Sequence, residues 1–190
     1  MNRILLALKC VWWACAFATA CQASDIEVSI TSDKRGYRVG DNISFTITYV
    51  NTSKNAKTIL PQAESYPVDA FTVEKTDNKK PVEKLRPGET PSVVWEARAR
   101  SAVTLKPGQK TTRKVMGEVR AQLPMWFEDS RQGLFIIFPA SAVSLPQSGQ
   151  YTIRAIFHSS PDHPVNRYLP PHSKLWRGDA ISDPIIITID

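Results

Sequence analysis

Beyond Cys21 this chain has no cysteine. Its three cysteines, Cys10, Cys15 and Cys21, all fall at the N-terminal end of a 190-residue chain. If that end is removed, no disulfide framework, thiolate metal site or cysteine nucleophile remains, and stability has to come from a core alone. Histidine is scarce as well, with three residues. No Gly-x-Ser-x-Gly elbow or other nucleophile signature occurs, so no enzyme activity is expected. No acidic residue precedes Asp25. Finally, no stretch carries a sustained helical period with caps, and there is no internal repeat or low-complexity tract. These absences set aside helical bundles, solenoids and disulfide scaffolds.

What is present begins with an ordered N-terminus. Arg3 supplies a positive start, Ile4 to Leu8 is apolar, Lys9 interrupts, and Cys10 to Ala20 is apolar again. A basic start, an apolar stretch and then small residues form the secretory pattern, so residues 1–23 are expected to be a bacterial signal peptide. Lys9 breaks the run that a membrane-spanning anchor would need. Cleavage after Ala23 leaves a thiol-free, soluble domain of residues 24–190, periplasmic or secreted. Two alternatives end before Cys21: Ala18-Thr19-Ala20 offers another small-x-small site, and Phe17-Ala18-Thr19-Ala20-Cys21 resembles a lipobox, so membrane contact is expected only if Cys21 is lipidated. Removing Arg3 and Lys9 from the 24 basic residues leaves 22 against 18 acidic ones, a net charge of +4. The densest basic stretches, residues 98–100 and 110–114, lack the interleaved aromatics of a nucleic-acid surface, so no nucleic-acid partner is expected.

The remainder reads as strands. Ile26, Val28 and Ile30 alternate with polar residues, and Ile43, Phe45, Ile47 and Tyr49 alternate with Ser44, Thr46 and Thr48, the period of a strand with one buried face. Further strands are expected at 71–74, 81–85, 93–97, 102–105, 111–119, 151–157 and 185–189, with turns at 76–79 and 106–109. The one helix candidate is short, at 124–130. Several short strands separated by turn signals indicate an all-β, antiparallel sandwich of about eight or nine strands in a single domain. Residues 117–145 and 158–179 do not fit a minimal seven-strand pattern and read as long irregular connections, where function tends to lie.

Tyr37-Arg38-Val39-Gly40-Asp41, the strand 43–50 and the Asn51-Thr52-Ser53 turn resemble the opening of bacterial immunoglobulin-like domains. Ser148-Gly149-Gln150-Tyr151 resembles their penultimate strand, where the tyrosine packs as a corner. Residues 175–184 and the isoleucines after them resemble the final hairpin. The opening is also similar to the BsuPI-type proteinase inhibitor domain. The resemblance implies an immunoglobulin-like sandwich, and its motifs are motifs of fold rather than of inhibition.

The candidate binding residues are aromatic: Trp126, Phe127, Tyr168 and Trp176, since exposed aromatics on loops anchor protein partners. Trp95 and Phe135 are expected in the core. His158, His163 and His172 cluster near Asp162 and Asp179, which raises a metal- or ligand-binding alternative for the segment 158–179. Their spacing matches no zinc motif, so no metal ligand and no cofactor is assigned. Arg177-Gly178-Asp179 reads as turn chemistry. The expectation is an exported immunoglobulin-like domain that binds a protein partner in the envelope as an adaptor or inhibitor-like module. Mass spectrometry of the mature N-terminus tests the export reading. Ser24 as first residue is the expected outcome; a lipidated Cys21 would establish the lipobox alternative, and an intact Met1 would exclude all three.

Overall fold

The computed structural model describes residues 24–61, 67–86, 98–125, 127, 131–160 and 162–190. In chain order the strands are β1 (Ile26–Ser32), β2 (Gly36–Tyr37), β3 (Asn42–Asn51), β4 (Lys57–Ile59), β5 (Phe71–Lys75), β6 (Lys80–Pro81) and β7 (Glu83–Leu85). They continue with β8 (Val103–Leu105), β9 (Lys110–Gln122), β10 (Gln132–Phe138), β11 (Ser141–Leu145), β12 (Gly149–Ser159), β13 (Gly178–Ile181) and β14 (Ile185–Ile189). Among the described residues the expected strands are present, except that the one expected at 81–85 is divided between β6 in one sheet and β7 in the other. The expected strand at 93–97, with Trp95, lies outside the described residues. The larger number of strands comes from short pieces such as β2, β4 and β13, of two to four residues, and from β10 and β11, of seven and five residues.

Two sheets face each other. One has the order β1-β3-β9-β10-β11-β7, the other β2-β14-β12-β5-β6, and β4 pairs with β8 in a separate two-stranded ribbon. All pairings among these strands are antiparallel except β2 on β14. The chain crosses from β3 to β5, returns at β7, continues in the first sheet with β9, β10 and β11, and crosses again to β12. Strands β1, β3 and β9 hold the A, B and E places of an immunoglobulin domain, and β5, β12 and β14 hold C, F and G. The place beside β9 that a constant-type domain gives to strand D is filled by β10, with β11 and β7 beyond it. The fold is an all-β, immunoglobulin-like antiparallel sandwich.

Alternation along each strand builds the core. Ile43, Phe45, Ile47 and Tyr49 of β3 point inward, as do Ile26, Val28 and Ile30 of β1. They meet Phe71 and Val73 of β5, Tyr151, Ile153 and Phe157 of β12, and Ile187 and Ile189 of β14. Each such side chain contributes about 1.5–3 kcal/mol by leaving water. Aromatic rings link the layers: Phe45 lies 5.2 Å from Phe71, and Phe71 stacks on Phe138 at 5.9 Å. Gly117 on β9 makes room for this stack, because a Cβ there would sit 2.7 Å from the Ile137 carbonyl and 3.0 Å from the Phe138 ring. The Tyr151 hydroxyl donates back to the Gln147 carbonyl four residues upstream, which is a tyrosine corner.

Two connections differ from expectation. Residues 117–145 are not an irregular loop. They contain the end of β9 and a β10–β11 hairpin. The run Leu134-Phe135-Ile136-Ile137-Phe138 is apolar on both faces because both are covered. Ile136 and Phe138 enter the main core, while Phe135 and Ile137 join a second cluster with Leu85, Leu123, Phe127 and Ala142. Of the helix candidate at 124–130, the described part is a turn closed by Phe127 N donating to Pro124 O at 3.0 Å. The C-terminal strands do not form a hairpin either. Both β13 and β14 pair with β12, one after the other along the same side. Pro184 cannot donate to a ladder, which breaks the strand there. Ser182 repairs the gap: its amide donates to Ala155 O, and its hydroxyl accepts from Ala155 N, both at 2.9 Å.

Two buried polar side chains give opposite expectations. Asn51 is fully buried, and its amide nitrogen donates to Leu105 O and Asn55 O, both at 2.8 Å. Its amide oxygen accepts from Ser53 N at 3.0 Å and from the Ser53 hydroxyl at 2.7 Å. The Tyr49 hydroxyl is equally buried but has no hydrogen-bond partner among the described residues, and burial pushes its pKa up to about 12. Leaving a buried donor unpaired costs about 1–3 kcal/mol. Urea denaturation should therefore show Tyr49→Phe neutral or more stable than wild type, and Asn51→Ala less stable by about 3 kcal/mol. A clear loss of stability in Tyr49→Phe would reveal a partner for the hydroxyl.

Candidate functional site

The ribbon and the long segment after β12 meet at one place. In the ribbon, Lys57 pairs with Leu105, Thr58 with Thr104 and Ile59 with Val103. Ile59 and Leu105 turn into the core, which leaves Thr58 and Thr104 on the opposite side with their hydroxyls 2.9 Å apart. Asn51 fixes the ribbon to the sandwich through the Leu105 carbonyl. The other side of β4 forms a parallel bridge to Leu175, where Trp176 N donates to Thr58 O at 2.6 Å.

The segment itself is pinned from within. A 3₁₀ turn spans Pro164–Arg167, with proline at its start and Val165 fully buried beneath it. The His163 Nδ1 caps the turn by accepting from Val165 N at 3.3 Å. Burial, aided by the nearby positive charge of Arg98, lowers the His163 pKa below its ordinary value, which keeps the ring neutral and able to accept. Asn166 Oδ1 accepts from Leu175 N at 3.0 Å. Leu175 and Trp176 then enter the core, where Trp176 stacks on Phe157 at 5.4 Å.

Between ribbon and segment lies an open groove of about 550 Å³. Asp25, Lys57, Thr58 and Thr104 line one side, and residues 172–177 line the other. Lys57 Nζ is 2.6 Å from Asp25 Oδ2, so this pair is internally neutral. Lys174 and Arg177 are exposed and form no ion pair among the described residues. The groove therefore has an excess of positive charge and of hydrogen-bond donors.

The sequence-selected aromatics fare differently. Trp126 lies outside the described residues. Phe127 is 4 % exposed within the second cluster, and Trp176 is 7 % exposed against Phe157. Neither ring offers a free face for a partner, because each fills space beneath a connection. Tyr168 is half exposed, at the end of the 3₁₀ turn. The three histidines have separate surroundings. His158 Nδ1 lies 2.5 Å from Asp179 Oδ1 on exposed positions of β12 and β13, His163 caps the turn, and His172 lines the groove. Among the described residues no group of three or more His, Cys, Asp or Glu side chains is placed to hold a metal ion. Lys57, Thr58, Thr104 and Lys174 were not singled out in the sequence, and Arg177 was noted only as part of the Arg-Gly-Asp turn. A cross-ribbon pair 46 positions apart leaves no local signal.

Gly178 of the Arg-Gly-Asp tripeptide has a structural duty. Its φ is +145°, and a Cβ there would lie 2.7 Å from the Trp176 ring. A side chain at this position would be strained and would push Trp176 out of its seat.

The class is that of immunoglobulin-like β-sandwiches, and it rests on the strand order. No family model matches the chain, and no curated protein matches it. Among solved structures, native alpha-2-macroglobulin from Escherichia coli, from domain MG7 to the C-terminus, aligns with a TM-score of 0.37 and 15% identity. The alignment covers 88% of this chain and 17% of that one, so the chain spans about a sixth of that structure's length.

Gly178→Ala should lower stability by about 2 kcal/mol and alter the near-ultraviolet circular dichroism from Trp176. Gly36→Ala, where nothing lies within 4 Å of the added Cβ, is the control and should change little. Equal melting temperatures for the two variants would contradict this packing.

Proposed function

We propose that this chain is an exported bacterial immunoglobulin-like domain that binds a protein partner in the envelope or outside the cell. It acts by binding rather than by catalysis, as an adaptor or inhibitor-like module. The observation that carries this reading is the open groove between the β4–β8 ribbon and residues 172–177. A rigid sandwich supports it from below through Asn51, Leu175 and Trp176, and a cleft held by packed elements suits recognition. Its size is within the range of a site that takes one or a few side chains of a partner. Tyr168, on the same segment, supplies a half-exposed aromatic beyond the 3₁₀ turn. The export pattern of residues 1–23 supports the compartment.

The test uses the mature domain as bait in envelope extracts, with Thr104→Trp to fill the groove and Tyr168→Ala to remove the exposed ring. A partner held by wild type should be lost with Thr104→Trp and weakened with Tyr168→Ala. It should be retained by Ile186→Ser, which alters an exposed side chain on the outer face of the other sheet. Identical capture by wild type and the groove-filled variant would refute the groove as the binding site.

A further inference from the structure

We infer that the groove recognises a short acidic stretch of polypeptide, an extended segment carrying a few Asp or Glu side chains. This rests on the binding reading above and names the chemistry of the partner. The groove is unbalanced in charge. Lys57 is matched by Asp25 at 2.6 Å, which leaves Lys174 and Arg177 as the unmatched charges of the lining. It is unbalanced in hydrogen bonding as well. The Thr58 and Thr104 hydroxyls share one hydrogen bond, so of their two protons one remains to be donated. Lys174, Arg177 and Ser173 add further donors, whereas the single lining carboxylate, Asp25, is engaged by Lys57. A ligand that fits is negatively charged and rich in acceptors. The planar guanidinium of Arg177 matches a carboxylate with two parallel bonds, and Lys174 serves a second carboxylate as a point charge.

Polypeptide is favoured over other polyanions by two features. Single-stranded nucleic acid is held by exposed aromatic platforms on which bases stack. The groove lining holds no phenyl or phenol ring; its indole, Trp176, is 7 % exposed with its ring stacked on Phe157, and its other ring is the small imidazole of His172. Long polyanions are gripped by many cations along a track. Two unmatched cations suit two or three carboxylates instead. With both groups exposed, attraction is screened over about 8 Å at physiological ionic strength, so binding falls as salt rises.

The experiment measures fluorescence anisotropy of a labelled peptide with three consecutive glutamates, added to the mature domain. Its all-glutamine counterpart and a short oligothymidylate are the comparison probes. The glutamate peptide should bind saturably, more tightly than either comparison, and less tightly at high salt. Lys174→Gln with Arg177→Gln should weaken it about tenfold, the scale of two solvent-exposed ion pairs. Lys110→Gln with Lys114→Gln removes the same charge from exposed positions on β9 and should leave binding within about twofold. Circular dichroism checks that both double variants are folded. The proposal is overturned if no glutamate peptide binds, if the glutamine peptide binds as well, if the oligonucleotide binds more tightly, or if both double variants weaken binding equally. Should any of these occur while Thr104→Trp still abolishes partner capture, the groove remains a binding site and its acidic preference is wrong.

Discussion

The buried amide of Asn51 is the interaction on which the arrangement of this molecule depends. It sits at the end of β3, fully removed from water, with each polar atom of its side chain engaged. Its backbone is engaged too, accepting from Gly108 N at 2.8 Å and donating to Gln109 O at 3.0 Å. One residue thus ties β3 to the turn before β9, to the loop before β4 and to the end of β8. A buried polar group of this kind costs little when every partner is in place and a great deal when one is missing. It therefore fixes one position of the ribbon relative to the sandwich. The groove inherits that position, since one of its walls is the ribbon.

The second wall is held by a different force. Leu175 and Trp176 are drawn into the core by their apolar surface, and the polar residues on either side of them are left at the surface as a result. Lys174 and Arg177 flank this anchored pair, so their charges are delivered to the groove by a neighbouring hydrophobic contact. Gly178 then lets the chain pass the tryptophan ring and enter β13. Specific hydrogen bonding on one side and burial on the other give a cleft whose two walls have independent supports.

Period-two alternation made the sandwich legible in the sequence, because each of the long strands buries one face and wets the other. Tyr151 was legible as a corner from its place after a glycine turn. Residues 134–138 were not legible as a strand of the sheet, because a run apolar on both faces loses its period once a second cluster covers the outer face. The β13–β14 arrangement was hidden for a related reason: a proline and a serine hydroxyl divide one edge between two strands, and the sequence there looks like a turn. For the site, the segment 158–179 drew notice through its histidines and aromatics. Its working residues under the present reading are a lysine and an arginine. Phe127 and Trp176 looked like anchors, yet exposure is a property of what packs above a ring, and nothing in a local window reports it. The Thr58–Thr104 pair depends on strand register between distant segments and has no sequence signature.

The interruption at Ser182 and Pro184 has a consequence for the chain's behaviour toward its own copies. Ile185 to Ile189 is rich in β-branched side chains and free of charge, a composition that suits cross-β stacking when it runs for six or seven residues along an open edge. Here the edge is cut into runs of four and five residues, with a proline between them and β2 laid against the far end. Proline and short edge strands are the means by which β-proteins discourage edge-to-edge pairing. The same break that divides β13 from β14 along β12 therefore works against templating a neighbour.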